Sequence, residues 1–357
     1  HEKIEDTYPR LYSIIYPNEF RDAARPNRTS PIYEYQKAAG AVFGDYFGWE
    51  CPNYFSEAPE DAYEKPSWKR TNAFPYVAAE CEHVMNHVGL LDLTRFAKTK
   101  ICAAGAEDWL NRMTCQKVPV ESGRIALAPM LDANGNFKSD MTITKVAENE
   151  YFCVTASVGK RHDQHWLIIH LPSDGSVFME DLTYRQGCLV LAGPKAREVL
   201  AAASYGDVSN AGLPFGRSKT IYVGRTLCRV NRMTYVGELG YEIFHPIECQ
   251  ISVYEALMAA GKPHQLKMFG MHAMDSMRLE KGYLAWKSEM NVHHTPLETP
   301  IAWTVKWNKD FIGRTGLEKV RKAEMPLQLI SMVVAADTAD AWGYNPIFKG
   351  NERVGMT

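Results

Sequence analysis

Apolar side chains recur at helical spacing in the first well-patterned stretch of the chain. Val77, Cys81, Val84 and Val88 are three or four residues apart, and Gly89 follows the last of them. This spacing gives a helix one apolar face, and a glycine commonly ends a helix. The pattern therefore predicts a helix over residues 74–88. Similar patterns predict helices that begin at Gly105 and that span Lys160–His170, Ala196–Ala203, Ile251–Ala260, Gly270–Glu280 and Thr315–Ala323.

Between these helices the pattern changes to short runs of β-branched and apolar residues. They predict strands at Ile125–Leu131, Met141–Val146 and Tyr151–Thr155. Asn134-Gly135, between the first two runs, is a two-residue hairpin signal and makes those strands antiparallel. Helices that alternate with antiparallel strands predict an α+β fold. Leu327–Ala335 is also β-branched and apolar, and we expect it to open a small C-terminal β-barrel.

Two short segments place acidic residues beside turns marked by glycine. Asp140 follows the Asn134-Gly135 turn and comes directly before a predicted strand, where the scaffold can hold its side chain rigidly. Glu242 enters a strand just after Gly240. A carboxylate held in this way can transfer a proton or accept hydrogen bonds from a flat heterocycle. The alternatives are a turn-capping role for Asp140 and a place on a partly exposed strand for Glu242.

Composition and charge exclude several classes of protein. The 357 residues are 46% hydrophobic and 23% charged, which is ordinary for a globular chain, and their number predicts two or three domains. A formal net charge of -2 without a Lys/Arg-rich stripe argues against nucleic-acid binding. No apolar run approaches the roughly 18 residues that span a bilayer. We expect no membrane span, and a protein of the cytoplasm or, in a eukaryote, of the mitochondrial matrix.

Cysteine and histidine spacing gives no support for a metal site. The eight cysteines are scattered without a Cys-x-x-Cys pair, which predicts reduced thiols. His83 and His87 are four residues apart, and His162 and His165 are three apart. Because no Cys or acid cluster completes either set, we expect no metal site.

Several motifs in one order resemble those of a single enzyme family. They are the segments 134–140 and 235–242, Gly193-Pro194-Lys195-Ala196, the stretch 278–283 and Thr295-Pro296-Leu297-Glu298. Together they resemble the aminomethyltransferase (glycine-cleavage T-protein) family of tetrahydrofolate enzymes. The opening stretch 47–55 is similar to the junction in dimethylglycine and sarcosine dehydrogenases, where an FAD domain precedes a T-protein-like folate half. The resemblance covers nearly the whole chain.

The resemblance implies roles for individual residues. Asp140 would handle the proton at N10 of the folate, and Glu242 would bind the edge of the pterin. Tyr235 would pack its ring against the pterin or place its hydroxyl nearby. Leu127 stands at a cofactor-contacting position where tyrosine is frequent. Arg278 is assigned to the same cofactor site, with a solvated or ion-paired helix face as its alternative.

The chain departs from the T-protein pattern at two further positions. Met274 and Leu329 stand where T-proteins carry folate-contacting arginines. These differences leave no assigned anchor for the glutamate tail of the folate. They agree better with the dehydrogenase branch, which differs from T-protein in the same helix.

The resemblance also implies three parts of the chain. Residues 1–73 would be an extended junction segment, and residues 74–320 an α+β folate-binding aminomethyltransferase domain of T-protein-like fold. Residues 321–357 would begin an incomplete C-terminal β-barrel, because the last residues resemble a hairpin of a longer polypeptide.

The activity implied is tetrahydrofolate-dependent transfer of a one-carbon unit from a small methylated amine, which forms 5,10-methylene-tetrahydrofolate. FAD would belong to a partner or missing domain, and we expect Phe47, Trp49 and Tyr54 at the interface with it. One alternative is a direct tetrahydrofolate-dependent methyltransferase or demethylase without a redox step. Another is a folate-binding accessory protein. The oligomeric state stays open, and an oligomer is among the alternatives.

Overall fold

The computed structural model describes residues 1–323 and 327–357. Its α-helices are α1 (Glu2–Thr7), α2 (Tyr33–Ala38), α3 (Phe74–Asn86), α4 (Ala106–Met113), α5 (Lys160–Ile169), α6 (Ala196–Ala203), α7 (Gln250–Gly261), α8 (Met271–Glu280) and α9 (Arg314–Lys322). Its strands are β1 (Ala41–Tyr46), β2 (Trp49–Phe55), β3 (Gly89–Asp92), β4 (Ala97–Cys102), β5 (Ile125–Leu127), β6 (Met130–Leu131), β7 (Phe137–Ser139), β8 (Thr142–Ala147), β9 (Glu150–Thr155), β10 (Phe178–Asp181), β11 (Gln186–Ala192), β12 (Ser204–Tyr205), β13 (Ser218–Val223), β14 (Thr226–Asn231), β15 (Gly240–Pro246), β16 (Lys267–Met268), β17 (Pro346–Lys349) and β18 (Glu352–Met356). The mixture confirms the predicted α+β class.

The larger of the two main sheets has seven strands in the order β12-β13-β14-β15-β11-β3-β16. Its neighbours are antiparallel except β16 and β3, which are parallel. Side chains alternate along β11, as the pleat requires. Leu189 and Leu191 pack with α6 and α7 on one face, whereas Cys188 and Val190 belong to a second core on the other face. The sheet is therefore covered on both sides.

The smaller sheet has five antiparallel strands in the order β10-β4-β9-β8-β5. On β9, Tyr151 and Cys153 pack with α4 and α5, whereas Phe152 and Val154 share the second core with Val190 of the larger sheet. The second core thus lies between the two sheets. Helix α8 contributes methionine side chains to it, which places this helix beside the gap between the sheets.

The N-terminal residues form a hairpin, β1–β2, that packs beside α3 and α8. Trp49 and Tyr54 of this hairpin are 7% and 0% exposed. The expectation that they form an interface with another domain is wrong, because their rings fill the core beneath the hairpin. Phe47 at its tip is 61% exposed. The division of the chain into three parts stays a prediction.

The predicted helices are confirmed, each within two residues at either end. The predicted strand Ile125–Leu131 is divided into β5 and β6, since Pro129 between them has no N–H to donate to a ladder. The hairpin at Asn134-Gly135 is confirmed by the pairing of β6 with β7, and Gly135 has a φ of +92°. Its connection spans residues 132–136 and is thus longer than the two residues predicted.

The prediction of a strand at Leu327–Ala335 is wrong. These residues form no regular element, and Ile330 and Val333 are 64% and 103% exposed. No strand within 1–323 or 327–357 pairs with this run, and a β-branched sequence needs such a neighbour to satisfy its backbone groups. The hairpin β17–β18 does form, but the described residues contain no closed barrel. Residues 324–326 of the predicted third part lie outside the described residues.

Within residues 1–323 and 327–357, no helix has both the length and the apolar character to cross a bilayer.

Candidate active site

A cleft of about 1230 Å³ opens beside the core between the two sheets. Its walls come from β5, the end of β9, the loop before β15, helix α8 and the loop 282–290. Sites for small ligands commonly enclose roughly 300–1,000 Å³, so this cleft can hold a large one. Four residues predicted from the sequence line it together: Leu127, Asp140, Tyr235 and Glu242.

Asp140 lies between β7 and β8, where the chain leaves the hairpin. Asp140 and Thr142 line the cleft, whereas Ile143 on the opposite face of β8 packs under α4. Asp140 is half-buried, and burial is the main cause that raises the pKa of its carboxyl from 3.8 to about 6. The negative charge of Asp163 raises it further. A carboxylate with this pKa can accept a proton near neutral pH.

Asp163, on helix α5, is 2% exposed and carries its charge close to Asp140. Its Oδ1 lies 3.1 Å from His162 Nδ1. Burial raises the pKa of Asp163, while hydrogen bonds from His162, Ser139 and Thr155 oppose that rise. Because two neighbouring carboxylates resist ionising together, Asp163 tunes the proton affinity of Asp140.

Glu242 reaches the cleft because of the alternation of side chains along β15. Tyr241 and Ile243 point into the core under α6 and α7, whereas Glu242 and Phe244 point to the other face. Burial raises the pKa of Glu242 from 4.5 to about 7, and a hydrogen bond from Asn231 lowers it in part. Asn231 is the cross-strand partner of Glu242 on β14. The carboxylate is thus held at the cleft wall beside an amide, and no cation of the described residues pairs with it.

Tyr235 lies in the loop between β14 and β15. Its hydroxyl donates a hydrogen bond of 2.6 Å to the carbonyl of Leu284, and its ring stacks on Tyr283 at a centroid distance of 6.3 Å. Burial raises the pKa of Tyr235, so the phenol stays neutral. Since the hydroxyl is already bonded, Tyr235 offers the face of its ring to a ligand.

Comparison with known proteins identifies the family. The model of the GCVT N-terminal domain matches residues 32–309. The chain belongs to the GCVT N-terminal domain family. A crystal structure of glycine cleavage system aminomethyltransferase T from Bartonella henselae superposes with a TM-score of 0.70 at 25% identity, covering 83% of this chain and 75% of that one. The T-protein-like fold that the motifs predicted is therefore confirmed.

Two curated relatives match nearly the whole chain. Mitochondrial dimethylglycine dehydrogenase of Mus musculus is 32% identical over 359 residues, which are 99% of this chain and 41% of that protein. The mitochondrial pyruvate dehydrogenase phosphatase regulatory subunit of Mus musculus is 28% identical over 372 residues, which are 99% of this chain and 42% of that protein. The chain thus spans about two fifths of the length of these relatives. It is an aminomethyltransferase-family domain related to dimethylglycine dehydrogenases.

Two residues of this GCVT-family member that depart from the T-protein pattern contribute apolar side chains to the cleft wall. Leu127 on β5 and Met274 on α8 both line the cleft. Met274 is 6% exposed and introduces no charge. Leu329, the other departure, is not among the lining residues, and its N–H donates to the carbonyl of Glu298 at 2.8 Å.

Arg278 lies behind the cleft wall and does not line it. It is 3% exposed, and its guanidinium donates to Asp275 and to Glu289, each at 2.7 Å. A third hydrogen bond of 3.1 Å goes to the carbonyl of Tyr283. These contacts tie α8 to the loop 283–289. Arg278 is thus ion-paired, as the alternative interpretation of this residue expected. Its contact with a cofactor stays a prediction.

Sequence reasoning missed three residues of the cleft and its surroundings. Asp163 and Asn231 act on the two cleft acids through space and across the sheet, so no local pattern marks them. Arg95 is 9% exposed and lines the cleft. A signal for Arg95 existed, because Arg95 and Asp92 are the only two charged residues in the largely apolar segment 88–97.

The residues present fit tetrahydrofolate, which the aminomethyltransferase family binds. A pterin is flat and has N–H donors along one edge. Glu242 supplies two acceptor oxygens for such an edge, and Tyr235 supplies a ring face. Leu127 and Met274 add apolar surface. Metal ligation is a separate question: among the described residues, no group of three or more His, Cys, Asp or Glu could hold an ion.

Proposed function

We propose that this domain transfers one-carbon units to tetrahydrofolate and forms 5,10-methylene-tetrahydrofolate within an N-demethylating enzyme of the dimethylglycine/sarcosine dehydrogenase type. One observation supports this most strongly. Asp140 and Glu242, about a hundred residues apart in the sequence, open on the same cleft with raised pKa values and, among the described residues, without a basic partner. Two carboxylates in distinct surroundings suit two tasks, proton transfer and recognition.

The residues divide the work as follows. Glu242 would accept two hydrogen bonds from the pterin edge, and the ring of Tyr235 would hold the pterin in register. Asp140 would take the proton released at N10. Bound tetrahydrofolate supplies the nucleophilic nitrogen that captures the one-carbon unit. Arg278 would keep the loop 283–289, and with it Tyr283 beneath Tyr235, in place.

A partner completes the proposal. The described side chains offer no redox group for oxidising an amine, and the relative that matches at 32% identity is named a dehydrogenase and is longer than this chain. We assign the oxidation of a small methylated amine to an FAD-containing domain or subunit. Close association would raise the effective concentration of the labile iminium product to roughly millimolar. Since the named relatives are mitochondrial, a eukaryotic source would place the domain in the mitochondrial matrix.

Anaerobic calorimetry with tetrahydrofolate tests the site directly. The wild-type chain should release heat with 1:1 stoichiometry, and an ordered protein that releases none would refute the folate proposal. The FAD-containing partner is tested by purifying the protein from its native source and measuring its absorbance near 450 nm. An intact, flavin-free polypeptide that demethylates its substrate with tetrahydrofolate alone would favour a direct methyltransferase.

An accessory role is the second candidate, favoured by the relative that is named a regulatory subunit. The same fold and cleft would then bind a ligand without turnover. The two candidates differ in their dependence on Asp140. Asp140→Asn should strongly lower one-carbon transfer in an enzyme, whereas an accessory protein should keep its partner's activity unchanged with this variant.

A further inference from the structure

One part of the cleft wall forms around Arg95. Its guanidinium lies 5.0 Å from the ring centre of Tyr46 and 5.1 Å from that of Phe96. It donates hydrogen bonds to Ser157 Oγ and, at 3.7 Å, to Met271 Sδ. All five residues line the cleft. The contacts orient Arg95 from several sides, but none of them supplies a negative charge.

Four acids near Arg95 are bonded to other groups. Within the described part of the chain, no carboxylate lies at ion-pair distance from its guanidinium, and its Nε has no hydrogen-bond partner. The acids and their partners are Glu64 with His272, Asp275 with Arg278, Asp92 with Gln250 and Glu50 with Arg25. Arg95 is thus a buried charge without a counter-ion among residues 1–323 and 327–357.

A buried charge without a partner opposes folding, because its lost hydration is not offset. Such a residue in a cleft is explained if its partner arrives with a ligand. The planar guanidinium matches a carboxylate with two parallel N–H···O bonds. Stacking on Tyr46 and Phe96 fixes the plane of the group before binding, which reduces the ordering that a ligand must offset.

We propose that Arg95 anchors a ligand carboxylate in this cleft. The inference deepens the proposed function, on which it rests, since it restricts the ligands to those that carry a carboxylate. Two sources supply that group. One is a one-carbon donor that is itself an N-methyl amino acid, and the other is the glutamate tail of tetrahydrofolate, for which Met274 and Leu329 offer no arginine.

Binding assays with paired probes separate the sources. N,N-dimethylglycine and its uncharged amide, N,N-dimethylglycinamide, differ in the donor carboxylate. Tetrahydrofolate and 6-methyltetrahydropterin differ in the tail. The proteins are the wild type, Arg95→Met and Arg95→Lys. Arg229→Met is the matched control, because Arg229 also stacks on a ring, Phe152 at 4.4 Å, but does not line the cleft.

If the carboxylate belongs to the one-carbon donor, Arg95→Met should weaken dimethylglycine binding about 10-fold or more, the effect expected for a charge-assisted pair. The affinities for the amide and for tetrahydrofolate should stay unchanged. If the carboxylate belongs to the folate tail, Arg95→Met should weaken the binding of tetrahydrofolate and leave the binding of 6-methyltetrahydropterin unchanged. Arg95→Lys should retain part of the affinity in either case. Arg229→Met should bind all four probes as the wild type does.

The melting temperature of the ligand-free protein is the second readout. Arg95→Met should keep or raise it, since the variant removes an uncompensated buried charge. The inference is overturned if the wild type prefers neither carboxylate probe over its uncharged analogue, or if Arg95→Met keeps that preference. Failure of tetrahydrofolate to bind counts against the proposed function alone, because the dimethylglycine pair tests Arg95 without folate.

Discussion

Replacing Glu242 by glutamine should make the ligand-free protein more stable at pH 8 and weaken its binding of tetrahydrofolate. The carboxylate sits at the cleft wall, where burial disfavours its charged form and only the Asn231 amide opposes that effect. Glutamine keeps the shape of the side chain and removes the charge. The variant therefore separates the energetic penalty of holding a carboxylate here from the packing of β15.

The magnitude follows from the pKa of Glu242, which burial raises from 4.5 to about 7. At about 1.4 kcal/mol per pH unit, ionising this group in the folded state costs about 3 kcal/mol more than in the unfolded chain. Between these two pKa values the folded state binds more protons than the unfolded state. The contribution of Glu242 to the stability of the wild type is thus fully present below pH 4.5 and is lost as pH rises through about 7. Water in the open cleft screens the charge and reduces this cost. We therefore expect Glu242→Gln to have a free energy of unfolding about 2–3 kcal/mol higher than that of the wild type at pH 8.

Urea unfolding of wild type and Glu242→Gln at pH 4.5 and pH 8 measures this directly. The two proteins should have similar free energies of unfolding at pH 4.5, and the variant should be the more stable at pH 8. Glu238→Gln is the control, since Glu238 pairs with Lys281 at 3.1 Å and does not line the cleft. Equal destabilisation of Glu242→Gln at both pH values would refute the reasoning and make Glu242 a structural hydrogen-bond acceptor.

Four other predictions concern the cleft acids and the neighbouring Asp163. Asp140→Asn should lower one-carbon transfer by roughly 10²–10⁴-fold with little change in melting temperature, and near-normal turnover would remove Asp140 from the mechanism. Since the pKa of Asp140 is raised to about 6, transfer by the wild type should fall as pH drops through that value. Asp163→Asn removes a neighbouring negative charge, so this acidic limb should move to lower pH; an unmoved limb contradicts the coupling of the two carboxylates. Glu242→Ala should weaken tetrahydrofolate binding by about 30-fold or more in calorimetry, and unchanged affinity would place the pterin elsewhere.

Local patterns in the sequence were sufficient for helices α3 to α9 and for the hairpin that leads to Asp140. The predicted helix over 196–203 coincides with α6, because its apolar face, its start and its end are all encoded within a few residues. The same local reasoning failed at Leu327–Ala335. Whether a β-branched run forms a strand depends on a hydrogen-bonding neighbour, and such a neighbour is remote in sequence.

By itself the sequence determined helices α3 to α9, the family motifs and the identity of the acids Asp140 and Glu242. Only the tertiary structure decided that these acids share a cleft with Tyr235, that Arg278 is bonded behind its wall, and that Asp163 and Asn231 modify their proton affinities. The physical reason is that pKa values and ion pairs depend on desolvation and on distances through space. Arg95 shows this most clearly: among the described residues no carboxylate lies at ion-pair distance from it, because four nearby acids are bonded to other groups.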